Sequence, residues 1–171
     1  SRRQRQMCIR DRSGELLSGI VETASYSPSW KHTQITRYIA VDGEKKEQIA
    51  DSCAEMFANN GVIIKNAPVL MVLTYIKGRS GYERDGSFTT SKGDRWQMFD
   101  AGIASQSFCL AAYEQGLGSV ILGIFDDAKV ASILEIPENQ EVAALIAVGY
   151  PDEEPAAPKR KPVADLLSFI H

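Results

Sequence analysis

The run Val69 to Tyr75, set off by Pro68, is apolar along almost its whole length and has the length of a strand. Without a polar face it reads as a strand buried on both sides. Glu141 to Val148 repeats the pattern and ends in the turn signal Gly149-Tyr150-Pro151. The chain therefore has to build a sheet and cover it, and the flanking segments supply the cover. Leu16, Leu17, Ile20, Val21 and Ala24 recur at helical spacing, and Ile35 to Val41 follows as a β-rich run closed by Asp42-Gly43. A second helix has a charged start at Glu44 to Glu47, one apolar face of Ile49, Cys53, Met56 and Phe57, and a stop signal at Asn59-Asn60-Gly61. Val62 to Lys65 is too short to assign.

From Asp94, a cap, a long helix runs to about Gln115 and is closed by Gly116. Phe99, Ile103, Gln106, Leu110 and Tyr113 trace one of its faces, and Ala101, Gly102, Ala104, Ser105, Ala111 and Ala112 make small surfaces suited to a core helix or to a dimer interface. Ser119 to Leu122 is a short strand broken by Gly123, and Asp126 caps a helix through Leu134. A last helix is expected over Val163 to Ile170, with Val163, Leu166, Leu167 and Ile170 to be covered by this subunit or a partner.

Two segments stand apart. Residues 1–13 are dense in Arg and Gln with no sustained period, and read as a basic arm or a flank foreign to the protein, the latter fitting Gln6 to Arg12 better. Ile76 to Gly93 is rich in Gly, Ser, Thr and charge and longer than most connections. It reads as a mobile loop beside a ligand site, with Tyr82, Phe88 and Trp96 as aromatic faces, or as a surface excursion.

With 171 residues, 44% of them hydrophobic, the chain can bury one good core, so residues 14–171 read as a single domain. A formal charge of -3, with basic residues gathered only at the two ends, argues against a nucleic-acid binder. Cys8, Cys53 and Cys109 are too few and too scattered for a zinc site and are expected to stay reduced, which fits the cytoplasm. No apolar run reaches the roughly 20 residues of a membrane span.

The chemistry-bearing stretch is Tyr26 to Gln34, the joint between the first helix and the first strand. Pro28 fixes one backbone angle and biases Ser27 toward extended geometry, so the joint is a rigid bend carrying hydroxyls, an imidazole and an amide. The same residues also suit an ordinary surface turn. His32 and His171 are the only histidines, which leaves little for a Ser-His-Asp site, and neither a Gly-x-Gly-x-x-Gly motif nor a Walker loop is present.

Ser1-Arg2-Arg3 at the start, Ser27-Pro28-Ser29 followed by Gln34, Glu114-Gln115-Gly116-Leu117-Gly118, and Gly149-Tyr150-Pro151 with Lys159-Arg160-Lys161-Pro162 behind it occur in an order that resembles the FMN-dependent nitroreductase family. The resemblance covers nearly all of the chain from Gly14 onward. It implies an α+β nitroreductase-like fold, a central, mostly antiparallel sheet flanked by helices, in an intertwined homodimer with FMN at the subunit interface. In that picture Arg2, Arg3, Lys159 and Arg160 neutralise the FMN phosphate. Ser27, Pro28 and Ser29 line the flavin ring from the partner subunit, with Gln34 behind them. Leu122 and Gly123 match the segment whose backbone N–H groups face the flavin.

The family usually has Asn where this chain has His32, an imidazole that can still hydrogen-bond the flavin. The family's ordered segment after Arg-Arg is replaced here by Gln4-Arg5-Gln6 and the run to Arg12. The implied reaction is ping-pong: NADH or NADPH delivers hydride to the flavin, then a small electron-poor acceptor such as a nitroaromatic or quinone takes its place. Reductive dehalogenation, flavin fragmentation and flavin binding without turnover are the competing readings.

Overall fold

The computed structural model describes residues 14–152 and 156–171. Residues 14–24 form helix α1. A short 3-10 turn, Trp30–His32, leads into strand β1, Thr36–Val41. Then come α2 (Gly43–Met56), α3 (Ala58–Asn66), β2 (Val69–Ile76), α4 (Arg95–Glu114), β3 (Gly118–Leu122), α5 (Asp127–Leu134) and β4 (Gln140–Gly149). The strands make one sheet in the order β1-β2-β4-β3, antiparallel at every pairing. Thr36 pairs with Tyr75, Met71 with Ile146, and Leu122 with Leu145.

The two apolar runs are the two central strands, and the alternation of side chains along them divides the core. Leu70 and Val72 of β2 and Leu145 of β4 face one way, into a cluster with Ile49, Cys53 and Ile64 of α2 and α3 and Val130 of α5. Met71, Ile146 and Val148 face the other way, onto Ile20 and Ala24 of α1 and Phe108, Ala111 and Ala112 of α4. Helices thus cover both faces, as the polar-free strands demand. Phe108, Leu145, Ile49 and Val72 are wholly buried, each stabilising the fold by about 1.5–3 kcal/mol relative to an exposed side chain.

Two expectations change. Asn59-Asn60-Gly61 is no stop: the break falls at Phe57, whose backbone is extended, and the chain turns helical again through Asn66. Gly61 is there for packing, since a Cβ would lie 2.7 Å from Ala54 Cβ and 2.8 Å from Ala50 O. In the long helix the core-helix alternative holds. Its small residues Ala101, Ala104, Ser105, Ala111 and Ala112 enter the core, while Phe99 (57%), Leu110 (60%) and Tyr113 (79%) are exposed. The closing helix shrinks to one 3-10 turn, Val163–Asp165, and all of residues 156–171 are exposed, because no surface among the described residues covers their apolar side chains. Cys53 is buried and Cys109 half-buried; both are free thiols.

Residues 76–93 are tied down rather than loose. Tyr82 bridges Phe88, Glu83 N donates to Ser87 O at 2.8 Å, and Thr89 N to Gly81 O at 2.9 Å. Gly81, at φ 89°, is so close to the chain opposite that a Cβ would collide with Gly93 O. No helix among the described residues is long and apolar enough to cross a membrane.

Candidate active site

Pro28 carries the chain out of α1 and starts a bend with unusual backbone geometry. Lys31 (φ 44°), His32 (φ 57°) and Gln34 (φ 50°) all take the left-handed conformation, and Glu135 is the other non-glycine residue among those described to do so. Side chains other than Asn, Asp and Gly adopt it only at a cost. Four contacts hold it here. Trp30 N donates to both carboxylate oxygens of Asp100 on α4 at 3.1 Å. Thr33 Oγ1 meets Ser80 Oγ at 2.7 Å, and Gln34 N donates to Ser29 Oγ at 3.0 Å. Lys31 pairs with Glu83 at 2.9 Å. Hydrogen bonds from Thr89 and Lys31, with the lysine's charge, hold the Glu83 carboxyl below its ordinary pKa.

The bend opens on a cleft of about 820 Å³ between α1, β1 and α4. Ser27, Pro28, Ser29 and Gln34 line it, together with Leu17 and Val21 of α1, Arg37 and Tyr38 of β1, Met71, Asp100 and Ala104. Ser27 Oγ is spent on Ala24 O at 2.6 Å. Ser29 Oγ accepts from Gln34 N, so its own proton remains available. Gln34 Nε2 lies 3.0 Å from His32 Nε2, an orientation in which the amide N–H donates to the ring nitrogen. That leaves the Gln34 carbonyl oxygen and one N–H for a ligand. Tyr38 stacks on Phe108 at 5.7 Å, and burial, with a smaller contribution from Cys109, pushes its hydroxyl up to about 12. Trp30 packs at a tilt against Trp96 with ring centroids 4.7 Å apart, and Trp96 meets Phe99 edge-on at 5.2 Å.

One copy brings only part of the predicted set together. Ser27, Pro28, Ser29 and Gln34 share the cleft, and His32 adjoins it through Gln34. Leu122 and Gly123 end β3, the sheet edge opposite β1, three strand spacings or about 14 Å away. The Leu122 side chain is also buried toward α2, α3 and α5, the face away from the cleft. A Cβ on Gly123 would meet nothing within 4 Å, so this copy's packing does not require the glycine. Lys159 and Arg160 are exposed, and Arg160 donates to Pro158 O at 3.3 Å. Arg2 and Arg3 lie outside the described residues.

Sequence reading missed Arg37, Tyr38 and Asp100. Tyr38 follows from strand alternation, on one face with Thr36 and Ala40; Arg37 is on the alternate face and meets the bend by donating to Gln34 O at 2.8 Å, and Asp100 looked like one more polar position on a long helix. No cluster of His, Cys, Asp or Glu among the described residues could hold a metal ion.

The nitroreductase family model matches residues 13–63 and 58–150. The oxygen-insensitive NADPH nitroreductase of Helicobacter pylori (strain J99) is 30% identical over 182 residues, covering 90% of this chain and 85% of its own. The NADPH-flavin oxidoreductase of Vibrio harveyi is 27% identical over 84% of this chain, which spans 59% of that longer protein. Among solved structures, a nitroreductase family protein from Streptococcus pneumoniae superposes with a TM-score of 0.79 at 22% identity, over 91% of this chain and 89% of the other. An FMN-dependent nitroreductase from Clostridium difficile superposes with a TM-score of 0.66 at 29% identity, over 85% and 80%. With the antiparallel sheet, the covering helices and the bend at Ser27 to Gln34 in place, the chain belongs to the nitroreductase family.

Proposed function

We propose that this protein is an FMN-dependent oxidoreductase that takes electrons from NADH or NADPH and passes them to small electron-poor acceptors such as nitroaromatics and quinones, working as a homodimer. The observation that carries the reading is the cleft at Ser27, Pro28, Ser29 and Gln34 in a chain of this family, alongside relatives named for NADPH and a neighbour named for FMN. The donor set fits a flavin ring, whose edge presents both acceptors and a donor: Ser29 offers a hydroxyl proton and Gln34 both an N–H and a carbonyl. FMN, when bound, supplies the hydride and electron transfer that no side chain here could perform.

The protein's own part is positioning. Pro28 and the tethered bend hold Ser29 and Gln34 rigidly at the cleft. Gly123, with open space where a side chain would stand, lets the backbone at the end of β3 approach a ring closely. Arg2, Arg3, Lys159 and Arg160 bring positive charge for the phosphate. Residues 76–93 reach the bend through Ser80 and Glu83 and in this reading stand on the acceptor's side, with Tyr82 and Phe88, and Trp96 of α4, as apolar faces.

Because β1 and β3 sit at opposite sheet edges, Gln34 and Gly123 reach one ring only if they come from different copies. Exposed apolar side chains support the pairing. Met98, Phe99, Leu110 and Tyr113 on α4, and Val163, Leu166, Leu167, Phe169 and Ile170 on the closing segment, lie open in one copy. Residues 14–171 act in this reading as one FMN-binding domain, and the free thiols of Cys53 and Cys109 suit the reducing cytoplasm.

The test is spectroscopic. Purified protein titrated with FMN should take up about one flavin per chain. The flavin bands should bleach on anaerobic addition of NADH or NADPH and return on addition of a nitroaromatic or a quinone. A protein that takes up no FMN contradicts the reading, and one that binds FMN but never bleaches is a flavin-binding protein without turnover.

A further inference from the structure

We infer that Asp100 is the positioning residue that clamps the strained bend and so presets the flavin-facing groups of the site; the inference rests on the FMN reading above. Asp100 is 3% exposed, on the buried face of α4 where the helix passes the cleft. Its carboxylate receives both ends of the turn. At the near end Trp30 N–H is shared between Oδ1 and Oδ2, each at 3.1 Å. At the far end the link is relayed. Ser80 Oγ donates to Oδ2 at 2.5 Å, and Ser80 has one proton to give, so Thr33 Oγ1, 2.7 Å away, must donate to Ser80.

Between those two tethers lie Lys31 and His32 at positive φ, and immediately after them Gln34. Nothing in Lys-His-Thr-Gln favours that conformation locally, so the restraint comes from outside the turn. One buried carboxylate links both ends, beside the Lys31–Glu83 ion pair and the Gln34–Ser29 bond, and through Ser80, itself wholly buried, it also fixes the segment 76–93 to the same point. The floor of the cleft and the wall on the acceptor's side are thereby joined through a single group that need not touch the flavin.

Substitution separates a clamp from a charge. Asp100→Ala frees both ends of the turn and leaves Ser80 buried without an acceptor. Asp100→Asn keeps one oxygen for Trp30 N–H, and its amide can donate to Ser80 Oγ, whose proton then turns to Thr33; the clamp survives without the charge. Thr33→Val removes only the far tether and preserves shape. Two readouts apply: FMN affinity by fluorescence quenching, and amide hydrogen exchange across 29–34 in the flavin-free protein.

The expected result is FMN binding weakened about tenfold or more in the alanine variant, about threefold in Thr33→Val, and within about twofold of the parent in the asparagine variant. Exchange at 29–34 should quicken in the first two variants only. If alanine and asparagine weaken binding equally, the carboxylate acts by charge and the inference falls; it falls also if a folded alanine variant, or Thr33→Val, binds and exchanges like the parent. Should the unsubstituted protein bind no FMN, the functional reading fails instead, while the exchange measurement still decides whether Asp100 holds the turn.

Discussion

Ser27, Pro28, Ser29 and Gln34 could be picked out from their types and order, because a proline bend with hydroxyls and an amide is a local signal. The left-handed backbone at Lys31, His32 and Gln34 could not, since it is held in part by a carboxylate about 70 positions away. Such residues store of order 1 kcal/mol of strain each. His32 is the informative one: its ring serves Gln34 through one hydrogen bond, while its backbone pays for being a non-asparagine residue in this conformation. His32→Asn should raise thermal stability slightly, by about 0.5 kcal/mol, because asparagine tolerates this region better. FMN affinity should stay level or rise. Loss of affinity by about tenfold would mean that the imidazole makes a contact an amide cannot replace.

Elements with an unambiguous pattern were readable: β2 and β4 from their two-sided apolarity, α5 from Asp126, whose Oδ1 accepts from Lys129 N at 3.0 Å. Where the reading went astray, tertiary packing overrode local preference. Asn60 sits inside α3 because its side chain donates to Ile124 O at 3.0 Å, and Gly61 because α3 lies almost against α2. The closing helix failed for the opposite reason, since an amphipathic pattern makes a helix only where something covers its apolar side. The Gly61 account has a sign that can be checked. Gly61→Ala should gain about 1 kcal/mol from helix propensity if the glycine were incidental. The 2.7 Å approach to Ala54 predicts a net loss of about 1–3 kcal/mol in denaturant unfolding, with an unchanged slope.

For the molecule as a whole, the sheet order decides the most. It was not legible in the sequence, because strand patterns carry no information on which strands become edges. With β1 and β3 outermost, the groups at Gln34 and at Gly123 belong to different ends of one copy, and the unclothed apolar side chains of α4 and of residues 156–171 call for a second. The proposed FMN site is thereby divided between two chains. A mixing experiment tests it most directly, using one chain with Ser29→Ala and Gln34→Ala and another with Gly123→Val. Each variant alone should bind FMN poorly and show little NAD(P)H-driven bleaching. Co-folded in equal amounts, half of the dimers should be mixed, each with one site built wholly from unaltered residues. Flavin reduction should then recover to about a quarter of the parent's. A mixture that forms dimers yet stays as inactive as its components would contradict the account, because a site contained within one copy cannot be rescued by the other.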